Sequence, residues 1–151
     1  MLEIMVVANY ALDRPKLREW IVARDRIGIV RFRVVVPIHV VAPVDFAGGL
    51  AGFFPSHLPV PGDLVQDAEA RLELLLRELR LCGVDAVGSV HMGEPIRVVA
   101  AVMTSAAIGE IAVAPAANVL SRFLGVDLAR RIRRRWMVPV QEVDVKQLVA
   151  A

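Results

Sequence analysis

The chain has 151 residues, a hydrophobic fraction of 56%, a mean hydropathy of +0.56 and a formal net charge of +2. This length predicts one domain, residues 1–151, and the small excess of positive charge does not by itself imply a polyanionic partner.

The longest apolar stretch, Val98–Ile108, is shorter than the roughly 20 residues that cross a bilayer, so we expect no membrane association. The amino terminus carries Glu3 and no basic region, so we expect no signal peptide. A single cysteine, Cys82, leaves no intrachain disulfide and favours a cytoplasmic location.

Strands and helices alternate in the first quarter of the chain. The continuous apolar run Ile4–Ala8 predicts a strand covered on both faces. Asp13 is a candidate N-cap and Pro15 fits the first turn of the helix that follows. Arg31–Val36 predicts a second strand, which Pro37 is expected to stop.

An irregular segment follows at residues 38–62. The stretch APVDFAGGLAGFFPSHLPVPGD contains four prolines and four glycines and has no helical or strand periodicity. A loop of this length is typical of a functional lid or a poorly ordered segment. Phe46, Phe53 and Phe54 offer an apolar contact surface, so this loop is a candidate contact for a protein partner.

The second half continues the alternation. Asp63 caps the clearest amphipathic helix, Leu64–Leu81, which Gly83 terminates. The remaining predicted elements are strand Val84–Val90, a helix opened by Pro95, strand Ile111–Ala114, one or two helical turns within Asn118–Leu124, a helix capped by Asp127 that runs to Arg135, and strand Val138–Val145. This order predicts an α/β fold with one doubly wound, Rossmann-like sheet of five parallel strands and helices on both faces.

Several segments resemble the universal stress proteins. They are LRLCGVDAVGSVHMGEPIRVV, GEIAVAP, FLGVDLARRIRRRWMVPVQEVDV and, more loosely, IMVVAN. In that family these positions hold a helix and strand before a G-x-P helix start, the strand before the phosphate loop, and the last helix and strand. The resemblance implies a five-stranded parallel sheet of the adenine nucleotide alpha hydrolase-like (HUP) type, commonly a dimer, and ATP binding in one branch.

The ATP-binding branch carries G-x2-G-x9-G-[S/T] after the fourth strand, where glycines let backbone N–H groups approach phosphate. Here Pro115 removes a donor, only Gly125 matches a motif glycine, and Val126 replaces the hydroxyl residue. Asp127 adds a carboxylate, and Asn9 stands near the position where ATP binders have an aspartate. We therefore expect a branch without a cofactor, in which this segment is a capped helix entry and not a phosphate cradle.

A degenerate nucleotide crevice, with ATP or AMP as its ligand, is the alternative. It would lie at the carboxyl ends of the strands, beside Ala8 and Ala114. Its candidate residues are Asn9, Asp13, His91, Gly93 and Gly125.

Other candidate sites have simpler structural explanations. The arginines of residues 130–135 are interpreted as the solvated face of a helix whose buried stripe is Leu128, Ile132 and Trp136, and a nucleic acid partner is not expected. The three histidines, His39, His57 and His91, lack metal-site spacing, so no metal is predicted. Cys82 follows a helix end and is predicted to be a buried, inert thiol.

The last strand is predicted to be an edge strand, because Pro139 cannot donate to a ladder. Its apolar residues, Val138, Val140, Val143 and Val145, are predicted to pair with a second copy across a two-fold axis. No catalytic motif is found, so the leading hypothesis is a non-enzymatic, homodimeric regulatory or structural module. The alternatives are a nucleotide-binding switch, and an accessory subunit that docks through the 38–62 loop and the arginine-rich helix.

Overall fold

The computed structural model describes residues 1–8, 14–39, 61–114 and 119–143. These residues form β1 (Leu2–Val7), α1 (Arg14–Asp25), β2 (Val30–Ile38), α2 (Pro61–Leu81), β3 (Ala86–Met92), α3 (Pro95–Ser105), β4 (Glu110–Val113), α4 (Val119–Arg135) and β5 (Val140–Glu142). The five strands pair in parallel in the order β3-β2-β1-β4-β5. The predicted five-stranded parallel sheet is confirmed.

The sheet carries a separate apolar layer on each face. On one face, Ile4 and Val6 of β1 belong to a cluster that includes residues of α1 and α2. On the other face, Met5 and Val7 belong to a cluster that includes residues of α3 and α4. All four of these side chains are at most 3% exposed. A central strand covered on both faces cannot alternate apolar with polar residues, which explains the continuous apolar run.

Strand β2 runs through Pro37 and does not stop before it, so this part of the prediction was wrong. The amide of Ala8 donates to the carbonyl of Val35 (2.9 Å), and the amide of Phe32 donates to the carbonyl of Asp85 before β3 (2.9 Å). Because these directions alternate along the strand, the nitrogen of Pro37 faces the side of β1. The pairing with β1 ends at Val7 and Val35, before Pro37, while β3 stays paired with β2 as far as Ile38, so β2 continues through Pro37 on the side of β3.

Helix α2 ends in a hydrogen-bonded turn around Gly83, as predicted. Gly83 has φ 78° and donates its amide to Arg80, and the amide of Val84 donates to Leu79, both at 3.0 Å. Val84, which is buried, continues the apolar stripe of the helix after the turn. The turn leaves Cys82 exposed, so the prediction of a buried thiol was wrong.

Within the described residues, no helix is both long and apolar enough to cross a membrane. The predicted loop overlaps the ends of two elements, because Ile38 closes β2 and Gly62 lies in the first turn of α2. Residues 40–60, with Phe46, Phe53 and His57, lie outside the described residues.

Candidate functional site

The candidate crevice lies at the carboxyl ends of β1 and β4, where the sheet order reverses. Open α/β sheets place ligands at this point. Ala8 is fully buried and Ala114 half-buried, so the end of the sheet here presents small side chains. The amide of Ala8 donates to Val35 and that of Ala114 to Val7, each at 2.9 Å. These two N–H groups are therefore engaged by the sheet itself.

Two predicted crevice residues, Asn9 and Asp13, lie outside the described residues, as does the 115–118 segment after β4. The described part of the crevice consists of the strand ends and the helices that follow them.

His91 lies in the edge strand β3, which β2 separates from β1. With strands about 4.8 Å apart, this places its backbone roughly 10 Å from β1. Its Nε2 lies 2.7 Å from the hydroxyl oxygen of Ser89, two residues earlier on the same face. The imidazole therefore hydrogen-bonds to a side chain of its own strand, and the structure does not bring it together with Ala8 and Ala114.

Gly93 forms the turn between β3 and α3. Its φ of 143° lies in the region that favours glycine, and its amide donates to the carbonyl of Ile38 at 2.9 Å. The glycine of the G-x-P segment therefore ties the end of β3 to the end of β2. Its N–H is engaged within the sheet and is not offered to a phosphate.

Helix α4 is continuous from Val119 to Arg135, so the prediction of a helix entry capped by Asp127 was wrong. Gly125 is the seventh residue of this helix, about 9 Å along the axis from the first at 1.5 Å per residue. A glycine inside a helix costs only about 1 kcal/mol relative to alanine, and the buried side chains of Ala129 and Ile132 on the same helix offset that cost. The one glycine that matches the ATP motif therefore does not lie in a phosphate-binding loop.

Sequence reasoning missed Glu94, which precedes α3. Its carboxylate lies 3.3 Å from the guanidinium of Arg131 on α4 and 3.9 Å from that of Arg97. A carboxylate beside the first turn of a helix also interacts favourably with the helix dipole. The sequence contained a signal for this ion pair, because the acidic Glu94 before Pro95 is complementary in charge to the arginine-rich helix α4.

The arginines at the end of α4 lie on the exposed face of the helix, as the sequence analysis predicted. Ile132 is fully buried, and the arginines from Arg130 to Arg135 are exposed. Arg133 donates to the carbonyl of Val140 (3.1 Å), and the guanidinium carbon of Arg135 lies 4.9 Å from the ring centroid of Trp136. Part of this charge therefore makes contacts inside the chain.

No group of three or more His, Cys, Asp or Glu side chains within the described ranges could hold a metal ion. His39 follows the end of β2 and is exposed.

The predicted interface valines occupy different positions. Val138 and Val140 are half-buried and pack against the layer of α3 and α4. Val143 is 6% exposed, packs in the opposite layer, and donates its amide to the carbonyl of Val113 at 2.9 Å. Both its side chain and its N–H are thus used inside the chain. Val145 lies outside the described residues, and pairing of β5 with a second copy remains a prediction.

No family model and no curated protein matches the chain. Solved structures do match, and a protein of the universal stress protein family from Burkholderia pseudomallei has a TM-score of 0.56 at 13% identity, covering 93% of this chain and 94% of that one. A universal stress protein family protein from Arabidopsis thaliana with AMP bound has a TM-score of 0.56 at 16% identity, covering 95% and 91%. A universal stress protein in complex with cAMP has a TM-score of 0.54 at 14% identity, covering 93% and 97%. The chain has the universal stress protein fold, as the resemblance implied.

Proposed function

We propose that this chain is a non-enzymatic regulatory or structural module that does not bind ATP through a glycine-rich phosphate loop. The observation that carries the proposal is the position of Gly125 inside α4, because the only matching glycine cannot then serve a loop before the helix. The engaged amides of Ala8, Gly93 and Ala114 support the same conclusion, since each already has a backbone acceptor in the sheet. We place the module in the cytoplasm and expect it to associate with a second copy of itself.

Calorimetry with ATP, ADP and AMP, with and without magnesium, tests the proposal. We expect no saturable binding of ATP at concentrations up to about 1 mM, a level at which even an interaction of only about 4 kcal/mol is half-saturated. Saturable binding of ATP that is weakened by Gly125→Val but not by the exposed-site change Arg134→Ala would contradict it.

A nucleotide-binding switch is the second candidate, favoured by the AMP and the cAMP bound in two structures with the same fold. Such a ligand would enter the crevice beside Ala8 and Ala114, the small residues that follow β1 and β4. Binding of AMP or cAMP without binding of ATP would favour this candidate. Loss of that binding on Ala114→Leu, with Ala100→Leu on α3 as a matched control, would locate the ligand in the crevice.

An accessory subunit is the third hypothesis, in which the 38–62 loop and the arginine-rich helix dock on a larger complex. The exposed Arg130 and Arg134, which have no partner among the described residues, would make such a contact. Affinity capture with the wild-type chain and with the Arg130→Ala, Arg134→Ala double variant tests it. A partner that both baits retain equally would argue against a role for the helix.

A further inference from the structure

Among the described residues, strand β3 is an edge of the sheet, and its outward backbone groups can be identified. The carbonyl of Asp85 accepts from Phe32 and the amide of Gly93 donates to Ile38, both at 2.9 Å, so odd-numbered residues face β2. The even-numbered residues between them direct their N–H and C=O groups away from the sheet: Ala86, Gly88, Val90 and Met92. Within the described residues, none of these outward groups has a backbone hydrogen-bond partner.

Within its own seven residues, this edge lacks the devices that keep edge strands from pairing. Its seven residues, AVGSVHM, include no charged side chain and no proline. Natural edge strands are usually short, charged, interrupted by proline or covered. Val87 and Met92 are 41% and 56% exposed, so each face of the strand carries an uncovered apolar side chain.

The edge is also complementary to itself. In an antiparallel arrangement centred on Ser89, Gly88 lies opposite Val90 of a second copy, and Ala86 lies opposite Met92. These are the hydrogen-bonded positions of an antiparallel ladder, so every outward N–H and C=O of the strand finds a partner. Because the strand carries no Asp, Glu, Lys or Arg, pairing with its own copy opposes no such like charges. A second copy also has the same length and a matching register, which an unrelated strand need not have.

We propose that two copies of this chain pair antiparallel through β3, about a two-fold axis at Ser89, and so form one continuous ten-stranded sheet. On one face, Val87 of each copy packs beside His91 of the other, and on the opposite face Met92 packs beside Ala86. The inference deepens the self-association in the proposed function and depends on it, but assigns it to β3 where the sequence predicted β5. A pairing of seven residues per copy is small, so we expect a dissociation constant of roughly micromolar or weaker.

Disulfide trapping tests the register. In a Cys82→Ser background, Ser89→Cys places two thiols at a non-hydrogen-bonded pair, whose Cα atoms lie about 4.5 Å apart, within the range of a disulfide. The matched control is Val87→Cys in the same background, since the two copies of residue 87 would be about 14 Å apart along the strands. We expect rapid covalent dimer from Ser89→Cys and none from Val87→Cys. Equal rates would overturn the proposal.

Sedimentation velocity between about 5 and about 500 μM brackets weak interfaces and tests the dimer without cysteines. Val87→Lys puts a charge on the edge and is expected to weaken association at least tenfold. Ile29→Lys adds the same charge at an 85% exposed site on neither edge, and is expected to associate like wild type.

A wild-type protein that stays monomeric throughout this range would overturn the dimer. The β3 edge would then be a candidate binding site for an extended segment of another protein. A dimer that survives Val87→Lys and is trapped instead through Val140→Cys would overturn the assignment to β3 while retaining self-association. The first result would also remove the self-association in the proposed function, whereas the second would remove the assignment to β3 alone. Neither bears on the nucleotide calorimetry, which tests the rest of the proposed function separately.

Discussion

Strands β3 and β5 lie at opposite edges of one sheet and are held in place in different ways. Strand β5 has three residues and is held largely by contacts outside its ladder. Val143, just after the strand, is buried, and the Gln141 amide donates to the buried Glu110. Arg133 donates to the outward carbonyl of Val140. Strand β3 has seven residues and is held mainly by its ladder with β2 and by helix α2. A short edge anchored by side chains has little backbone left to offer, whereas a long edge anchored by its backbone exposes a complete second row of hydrogen-bonding groups.

The same proline substitution on the two edges should give the largest contrast. Val143→Pro removes an N–H that bonds β4 and disturbs a buried side chain, so we expect the free energy of unfolding to fall by at least about 3 kcal/mol. Val90→Pro removes an outward N–H and disturbs a half-buried side chain, and should cost about 1 kcal/mol. Urea unfolding followed by circular dichroism at low protein concentration measures both. Equal losses would mean that the backbone directions assigned to these strands are incorrect.

The carboxylate that anchors β5 should come next in effect. Glu110 is 9% exposed and pairs with Arg24 of α1 at 3.0 Å as well as with Gln141. Glu110→Ala leaves a half-buried guanidinium and an amide without their acceptor, so we expect a loss of about 2 kcal/mol in the free energy of unfolding.

Glu78→Ala is the matched control for Glu110→Ala. It removes a more exposed carboxylate that pairs with Arg18 at 3.2 Å and Arg14 at 3.5 Å between α1 and α2. The Oε2 atom that both arginines approach is buried, but the two arginine side chains are more than a third exposed, so we expect a loss of about 1 kcal/mol, smaller than that of Glu110→Ala. A larger loss for Glu78→Ala than for Glu110→Ala in the same urea titration would show that β5 does not depend on the buried carboxylate.

The turn that ends β3 should give a smaller effect. Gly93→Ala forces a side chain onto a backbone with φ 143°, and we expect a loss of about 1–2 kcal/mol. Gly28→Ala is its control, since an added Cβ there meets nothing within 4 Å and no positive φ is needed, so the change should stay within about 0.5 kcal/mol. Thermal unfolding of the two variants beside wild type measures the difference. A Gly93→Ala protein as stable as Gly28→Ala would show that this turn relaxes at no cost.

The smallest effect on stability is expected from Arg133, which covers one outward carbonyl of β5. Arg133→Ala should change the free energy of unfolding by no more than about 0.5 kcal/mol, because the contact is exposed. In a Val87→Lys background, where β3 is blocked, it should nevertheless increase weak association through the uncovered β5 edge. Arg134→Ala, which alters a neighbouring exposed arginine without a described partner, is the control. Sedimentation that shows identical association for the two double variants would remove edge protection as a role of Arg133.

The sequence by itself determined the alternation of elements, the two-sided sheet and the resemblance to the universal stress protein fold. These features follow from local patterns, such as the apolar run of β1 and the glycine at the end of α2, which act within a few residues. Local signals failed where a tertiary contact outweighed them: α4 continues through Gly125, and β2 continues through Pro37.

Only the tertiary structure decided which groups remain free. The sequence marks Val143 as an apolar residue near the end of the chain, but its burial depends on which layer of the sheet it meets. Likewise, His91 and Gly93 follow a strand as binding residues do, yet β3 proves to be the edge of the sheet, where His91 bonds Ser89 and Gly93 bonds Ile38. Strand order arises from the packing of helices on both faces, and no window of the sequence contains it. That order determines which backbone groups are paired and which edge is left to meet another chain.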